Sequence, residues 1–199
     1  MALQHAKPYR FSVSQFDRLV DAAVFSSDAR VELIEGQVLD VPTGSRRSAT
    51  CVENVERLLQ SALDGTAFVA KHQLLRLSGD TEVLPDLVAL RTAGDHGDRS
   101  RVSAHEALLV VEVAEPYVEM DREVKSRLYA SAKIPEYRVV DLAGERVTVL
   151  GGASAGGYLE QRQYGRGEAW ESPLLKGQAV AVNSLMVGYD GGWHLEARR

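Results

Sequence analysis

Two acidic side chains stand in apolar surroundings, where a lone charge is costly. Glu112 lies within A-L-L-V-V-E-V-A (107–114), and Asp86 follows Pro85 in L-P-D-L-V-A-L (84–90). Burying an unpaired carboxylate costs several kcal/mol, so each acid needs a partner. If the two runs form adjacent strands in register, the carboxylates converge and repel each other unless a cation or a proton lies between them.

A hard divalent cation would satisfy two converging carboxylates. Mg²⁺ prefers oxygen ligands and often takes one or two carboxylates together with water and substrate phosphate. A lysine near such a cation can orient an attacking water and stabilise charge on a phosphate, and Lys125 lies on the segment after the Glu112 run. Two alternatives stay open from the residues alone: a structural salt bridge for Glu112, and a helix-surface ion pair between Lys125 and Asp121.

The elements that position these side chains are predicted from apolar periodicity and turn residues. In chain order we expect a helix over about 14–24 capped by Ser14, a hairpin over 31–42 around Glu35-Gly36, a helix over 48–64, strands over 68–77 and 84–91, an exposed loop over 92–106, a strand over 107–114 buried on both faces, a turn at Pro116, a helix over 121–133, and a hairpin around Ala143-Gly144.

Several segments resemble, in order and spacing, the Uma-two family of putative restriction endonucleases. They are V-E-L-I-E-G (31–36), P-D-L-V-A-L (85–90), L-V-V-E-V (109–113), D-R-E-V-K-S-R-L-Y-A (121–130) and I-P-E-Y-R-V-V-D (134–141). The resemblance covers roughly residues 10–150. It implies an α/β protein with the PD-(D/E)XK restriction-endonuclease-like fold, a mixed central β-sheet flanked by helices. We expect a single nuclease domain over 1–199, with a core over about 10–150 and a β-rich extension over 151–199.

The resemblance also implies roles for individual residues. Asp86 and Glu112 would bind Mg²⁺, with Mn²⁺ as a substitute, and Lys125 would be the catalytic lysine, displaced from its usual strand onto the following helix. Glu32, in the hairpin, would be an additional catalytic acid, a role that rests on the resemblance alone. The reaction implied is the metal-dependent hydrolysis of DNA phosphodiester bonds.

This sequence departs from the family pattern at three positions. Ser48 stands where many members have a histidine at the start of the second helix, Ala114 where a serine often follows the catalytic glutamate by two, and Arg138 where tryptophan is usual. If that histidine positions substrate or water, activity here would be reduced, altered or lost, unless His72 or His105 takes its place in space.

Composition restricts the partners and the location. The net charge of −5 argues against a uniformly basic nucleic-acid-coating protein but allows a local basic strip. Its candidate members form three pairs, Lys7 with Arg10, Arg46 with Arg47, and Arg99 with Arg101. The chain shows neither an apolar run of the roughly 20 residues that span a membrane nor a signal-peptide core. We therefore expect a cytoplasmic protein that does not associate with membranes.

Three functions are consistent with these observations. The first is a DNA endonuclease, which we expect to be a homodimer because two symmetric sites cut both strands of a duplex most simply. The second is a catalytically weakened module that binds DNA or protein. The third is a phosphodiesterase acting on RNA or small nucleotides, which the acidic net charge would suit.

Overall fold

The computed structural model of the protein describes residues 7–26, 28–42, 44–91, 101–115, 119–175, 177–186 and 196–197. Its α-helices are α1 (Val13–Asp21), α2 (Arg46–Ala62), α3 (Ser126–Ser131) and α4 (Val182–Met186). A π-helical turn over Met120–Lys125 leads directly into α3, and 3₁₀ turns span Ala104–Glu106 and Pro173–Leu175. In this part of the chain, no helix is long and apolar enough to cross a membrane.

The strands belong to three sheets. In chain order they are β1 (Val31–Ile34), β2 (Gln37–Asp40), β3 (Ala67–Lys71), β4 (Leu74–Arg76), β5 (Glu82–Val83), β6 (Leu87–Arg91), β7 (Arg101–Ser103), β8 (Ala107–Ala114), β9 (Glu136–Asp141), β10 (Arg146–Ser154), β11 (Gly157–Gly165), β12 (Ala169–Glu171), β13 (Gln178–Ala181) and β14 (Glu196–Ala197).

The largest sheet has six strands in the order β11-β10-β9-β8-β6-β3. Its neighbouring strands are antiparallel except β8 and β9, which run parallel. The π-helical turn and α3 form the connection between these two, as a parallel pair requires a crossover. The mixed α/β fold predicted from the sequence is therefore confirmed.

Strand β8 is buried on both faces, as its continuous apolar run predicts. Leu109 and Val111 pack into the apolar cluster that includes α2, whereas Val110 and Ala114 pack with α3 residues such as Tyr129. Because Glu112 is only 4% exposed, it depends mainly on protein groups for its hydrogen bonds.

A five-stranded sheet, β2-β1-β5-β4-β7, lies beside the first and carries Glu32 on β1. Helix α1 packs on it through Val13 and Phe16, which contact Leu33. The β1–β2 hairpin is the one predicted from the sequence, with Glu35 and Gly36 at its turn.

The described residues of the segment 151–199 contribute side chains to the main hydrophobic core. Trp170, Leu175, Val180 and Leu185 pack into the same cluster as α2 and β8. The third sheet, β12-β13-β14, also lies in this segment.

The start of α1 and the extent of the exposed loop after β6 differ from the predictions. The N-cap of α1 is Ser12 rather than Ser14, because Ser12 and Gln15 satisfy each other's backbone N–H groups in a capping box. Residues 101–106 are not an exposed loop, because β7 pairs with β4 and buries Val102. The rest of the predicted loop, 92–100, and the predicted turn at Pro116 lie outside the described residues.

Candidate active site

The register of β6 against β8 brings the two central carboxylates together. Leu87 lies opposite Val111, and Asp86 and Glu112 are each one position further towards the same end of the pair. The backbone N–H of Asp86 donates to Glu112 Oε2 at 3.2 Å, and the N–H of Val113 donates to Asp86 Oδ2 at 2.8 Å. The convergence expected from the sequence is therefore present.

Lys125 extends from the π-helical turn into the space between the acids. Its Nζ donates to Glu112 Oε1 at 2.9 Å and to Glu32 Oε1 at 3.0 Å, and it lies 3.8 Å from Asp121 Oδ1. Lys125 is only 3% exposed. The alternative of a surface ion pair with Asp121 is therefore wrong, since the pair belongs to a buried cluster.

The π-helical turn determines which side chains face this cluster. The N–H of Ser126 donates to the carbonyl of Asp121, five residues earlier, so the turn is wider than an α-helical one. Asp121 and Lys125 consequently both reach the cluster, and the hydroxyl of Tyr137 donates to the carbonyl of Asp121 at 3.0 Å. Single π turns are frequent at functional sites.

Glu32 enters from the neighbouring sheet and is 1% exposed. Besides Lys125, its Oε1 accepts from the N–H of Leu84 at 2.9 Å. Its Oε2 is fully buried and has no hydrogen-bond partner in the described structure. All four residues predicted to form the site, Asp86, Glu112, Lys125 and Glu32, thus form one connected cluster.

The electrostatics of the cluster follow from its burial. Burial, and then the charge of Glu112, raise the pKa of Asp86 to about 6 and also raise that of Asp121. Burial lowers the pKa of Lys125, but the surrounding acids outweigh it, so its net pKa is raised. The neighbouring acids therefore favour the charged, ammonium form of Lys125.

The tyrosine one helical turn after Lys125 also belongs to the cluster. Tyr129 is fully buried and its hydroxyl donates to Glu112 Oε1 at 2.8 Å. Burial and the charge of Glu112 raise its pKa well above the usual value. It is thus a core tyrosine that orients Glu112. Its position in the sequence, one helical turn after Lys125, is compatible with this role but does not predict it.

A cleft of about 710 Å³ opens onto the acids and Lys125. Arg30 Nη2 lies 3.5 Å and His72 Nε2 lies 3.8 Å from Asp86 Oδ1. Ser48 and Ala114, two of the departures from the family pattern, also line it. Arg30 was not predicted, because nothing in its sequence neighbourhood distinguishes it from a surface arginine.

The two candidate replacements for the family histidine lie in different places. His72 lines the cleft beside Asp86, whereas His105 hydrogen-bonds to Ser103 Oγ and does not line it. Arg138, the third departure, is buried and pairs with Glu136, and neither residue lines the cleft.

The predicted basic pairs do not form one strip in the described structure. Arg10 contacts the carbonyl of Glu35, and Arg101 pairs with Asp17 at 3.1 Å and with Glu82 at 3.4 Å. Arg47 lies 3.8 Å from Glu115 at the cleft. Lys7 and Arg46 are exposed, and Arg99 lies outside the described residues.

Mg²⁺ suits the chemistry of this donor set. Asp86 and Glu112 offer hard oxygens at the cleft, and a divalent cation would relieve the repulsion that raises the pKa of Asp86. Among the described residues, no three His, Cys, Asp or Glu side chains are arranged to hold a metal ion by themselves. Mg²⁺ does not require such a cage, because it commonly retains waters and takes substrate phosphate as a ligand.

Comparisons with known proteins bear on the family and the fold. The family model described as "Uma2: Putative restriction endonuclease" matches residues 13–183. The fold is similar to a crystal structure of a putative nuclease belonging to DUF820 from Anabaena variabilis, with a TM-score of 0.71 and 13% sequence identity. That match covers 88% of this chain and 97% of the other. No curated protein matches the sequence.

Proposed function

Since this chain belongs to the Uma2 family of putative restriction endonucleases, we propose that it is a Mg²⁺-dependent endonuclease that hydrolyses DNA phosphodiester bonds, with Mn²⁺ as a possible substitute. The observation that carries this proposal is the position of Lys125 Nζ, 2.9 Å from Glu112 Oε1 in a cleft that Asp86 also lines. Two acids can hold the cation for metal-assisted hydrolysis, and a lysine beside them can stabilise the charge that develops on the phosphate.

Asp86 and Glu112 would hold the cation through the oxygens that face the cleft. When bound, Mg²⁺ would supply Lewis-acid stabilisation of the negative charge that develops on the phosphate. Each carboxylate has about four lone-pair positions, so the hydrogen bonds already made to Glu112 leave capacity for a ligand.

Lys125 acts as a cation because its acidic neighbours keep it protonated. It therefore orients the attacking water and stabilises the phosphate rather than removing a proton. Glu32 and Tyr129 position this machinery: Glu32 holds the ammonium group, and the Tyr129 hydroxyl fixes Glu112 Oε1. Neither needs to touch the substrate.

The test is cleavage of supercoiled and linear DNA with Mg²⁺, Mn²⁺ or EDTA. We expect metal-dependent cleavage by the wild type, and a loss of about 100-fold or more in Asp86→Asn, Glu112→Gln and Lys125→Met, since removing one such group typically costs that much. Glu160→Gln, an exposed acid on the edge strand β11, is the matched control and should retain full activity. Circular dichroism checks that each variant is folded.

Three results would contradict the proposal. Cleavage in EDTA would exclude the metal, and full activity in folded Asp86→Asn or Lys125→Met would exclude the site. Metal binding by the wild type without cleavage of DNA or of an RNA of the same sequence would favour a nuclease-derived binding module.

We also propose that the active form is a homodimer, because cutting both strands of a duplex is most simply done by two symmetric sites. Light scattering after size exclusion should then give twice the 21.8 kDa chain mass. A monomer at the concentrations used for cleavage would overturn this part of the proposal and leave the chemistry unaffected.

A further inference from the structure

The lining of the cleft is of two kinds. Its charged side chains include Asp86, Glu112, Lys125 and Arg30. Its apolar side chains, here called the apolar wall, come from β2, the segment after it, the first turns of α2 and the π-helical turn; they are Leu39, Val41, Pro42, Ala49, Val52 and Met120. A ligand that matches both kinds of lining has a charged part and an apolar part, as a nucleotide does.

The reactive groups lie at the floor of this cleft. Glu112 is 4% and Lys125 3% exposed, so a scissile phosphate must enter the cleft to reach them. In a regular duplex, the base attached to that phosphate is stacked at the helix axis and points away from the protein. The apolar wall would then contact no base of the duplex. An unstacked nucleotide, in contrast, can rotate its base so that the base packs against the apolar wall.

The volume of the cleft agrees with such an occupant. At about 710 Å³, it falls within the roughly 300–1,000 Å³ that is usual for sites of small organic ligands. It therefore accommodates one nucleotide with its phosphate and a cation.

Arg30 is placed to hold the phosphate. Its described contacts are a 3.5 Å approach of Nη2 to Asp86 Oδ1 and another of 3.5 Å to the carbonyl of Leu84. Both are longer than a normal hydrogen bond, so most of the guanidinium donors stay available to an anion. A planar arginine fork suits the bidentate recognition of a phosphate.

The charges that line the cleft disfavour a long phosphate track. Asp40, Glu53 and Glu115 line it together with Asp86, Glu112 and Asp121, whereas its lining lysines and arginines are Arg30, Lys71 and Lys125. Duplex-binding surfaces neutralise many phosphates with lysine and arginine, whereas an excess of acids repels the phosphates on either side of the cleavage point. Contact is thus limited to few nucleotides.

We propose that the cleft receives one unstacked nucleotide, with its phosphate on Arg30 and its base against the apolar wall, so that the preferred substrate is DNA with unpaired nucleotides. This inference rests on the proposed nuclease function. It assigns a substrate class to the site, and it makes Arg30 a substrate-binding residue.

The first test compares one labelled sequence as a single strand, as a perfect duplex and as a duplex with one unpaired nucleotide. The single strand and the bulged duplex should be cleaved with a kcat/KM at least about tenfold above that of the perfect duplex. Equal or faster cleavage of the perfect duplex would overturn the inference but leave the nuclease function intact. No metal-dependent cleavage of any of the three would overturn both.

The second test fills the apolar wall. Ala49 is exposed on α2 and lines the cleft, so Ala49→Trp narrows it without disturbing the core. Cleavage of the single strand should fall about tenfold or more, chiefly through KM, while metal binding measured by calorimetry is unchanged. Gln60→Trp, exposed on the same helix away from the cleft, is the control. Unchanged cleavage by Ala49→Trp would overturn the inference.

The third test isolates Arg30. In Ca²⁺, Arg30→Ala should bind a natural dinucleotide about tenfold more weakly, but it should bind the neutral methylphosphonate analogue as the wild type does. Arg30→Lys should recover part of the loss, and Arg162→Ala, on β11, should show none. Equal losses for both ligands would show that Arg30 only supports Asp86, and the phosphate assignment would be wrong.

Discussion

At the scale of single residues, the buried charges of the site depend on Lys125. Its ammonium group contacts Glu32 and Glu112 and lies close to Asp121, and the side chains of Lys125, Glu32 and Glu112 are almost completely buried. Removing one partner of a buried ion pair leaves the other charge without compensation, which typically costs about 3–5 kcal/mol.

Lys125→Met should therefore lower the free energy of unfolding by roughly that amount, as measured by urea denaturation. Adding Glu112→Gln removes one of the two stranded acids, so the double variant should be more stable than the sum of the single effects predicts. Simple additivity in this cycle would mean that the two side chains do not interact.

Asp86 gives a pH dependence of the opposite sign to most carboxylates. Its pKa rises from 3.8 to about 6 on folding, so the native state holds more protons than the unfolded state between these values. The contribution of Asp86 to stability is present below the unfolded pKa and is lost as pH rises through about 6.

We expect Asp86→Asn to gain stability relative to the wild type as pH rises from about 4 to about 7, by roughly 3 kcal/mol. Melting of both proteins in EDTA across this range measures the difference. A difference that stays constant with pH would show that Asp86 titrates normally. Added Mg²⁺ should reduce the advantage of the variant by stabilising the wild type.

The sequence predicts the site unevenly, for physical reasons. Asp86 and Glu112 stand out because carboxylates in apolar strands demand partners, and strand parity brings them together. Glu32 sits in an alternating hairpin where outward charges are ordinary, so only the family resemblance identifies it. The burial of Asp121 and the position of Arg30 depend on how segments remote in sequence pack, and no local pattern carries that information.

At the scale of elements, the β1–β2 turn sets the position of Glu32. Glu35 and Gly36 have φ angles of 48° and 78°, which a tight hairpin turn requires. A Cβ at Gly36 would also lie 2.9 Å from Arg10 Cβ. The turn therefore fixes which face of β1 meets Lys125.

Gly36→Ala should lower stability by at least about 1 kcal/mol, the usual cost of a left-handed conformation for a residue with a Cβ, and should also lower activity through Glu32. Gly156→Ala is the control, because a Cβ there meets nothing within 4 Å. Thermal melts and cleavage rates measure both effects. A tolerated Gly36→Ala would mean that the hairpin does not constrain the site.

Most elements follow from periodicity, and the exceptions have causes. Ser12 and Ser14 both fit the start of α1, and only the reciprocal bond to Gln15 selects Ser12. Strand β7 was not predicted because the sequence around it is polar. Its three residues are stabilised by pairing with β4, which is distant in sequence. The π-helical turn over Met120–Lys125 cannot be predicted from the spacing of apolar residues. A π-helical hydrogen bond spans five residues and an α-helical one spans four, and the spacing does not distinguish a single turn of each kind.

At the scale of the whole molecule, the C-terminal extension shares its core with the proposed catalytic sheet. Trp170 is 3% exposed and packs into the cluster that contains α2 and β8. The extension should therefore unfold together with the rest of the chain.

Trp170→Ala should lower the free energy of unfolding by about 3–5 kcal/mol, as usual for a buried large aromatic, in a single transition by both far-ultraviolet circular dichroism and tyrosine fluorescence. Leu159→Ala, at an exposed position on β11, should have little effect. Two separate transitions would show that the extension folds independently and that the expected single domain is wrong.

The mutual hydrogen bonds between Asp86 and the Glu112 strand have an evolutionary consequence. The backbone N–H groups that hold these acids remain whatever side chains occupy the two positions, so the sheet does not need the carboxylates in order to form. A lineage released from selection for cleavage would gain stability by exchanging Asp86 for a neutral residue. Inactive descendants should thus keep the scaffold and lose Asp86 first, and such loss in a genome would record relaxed selection on the chemistry.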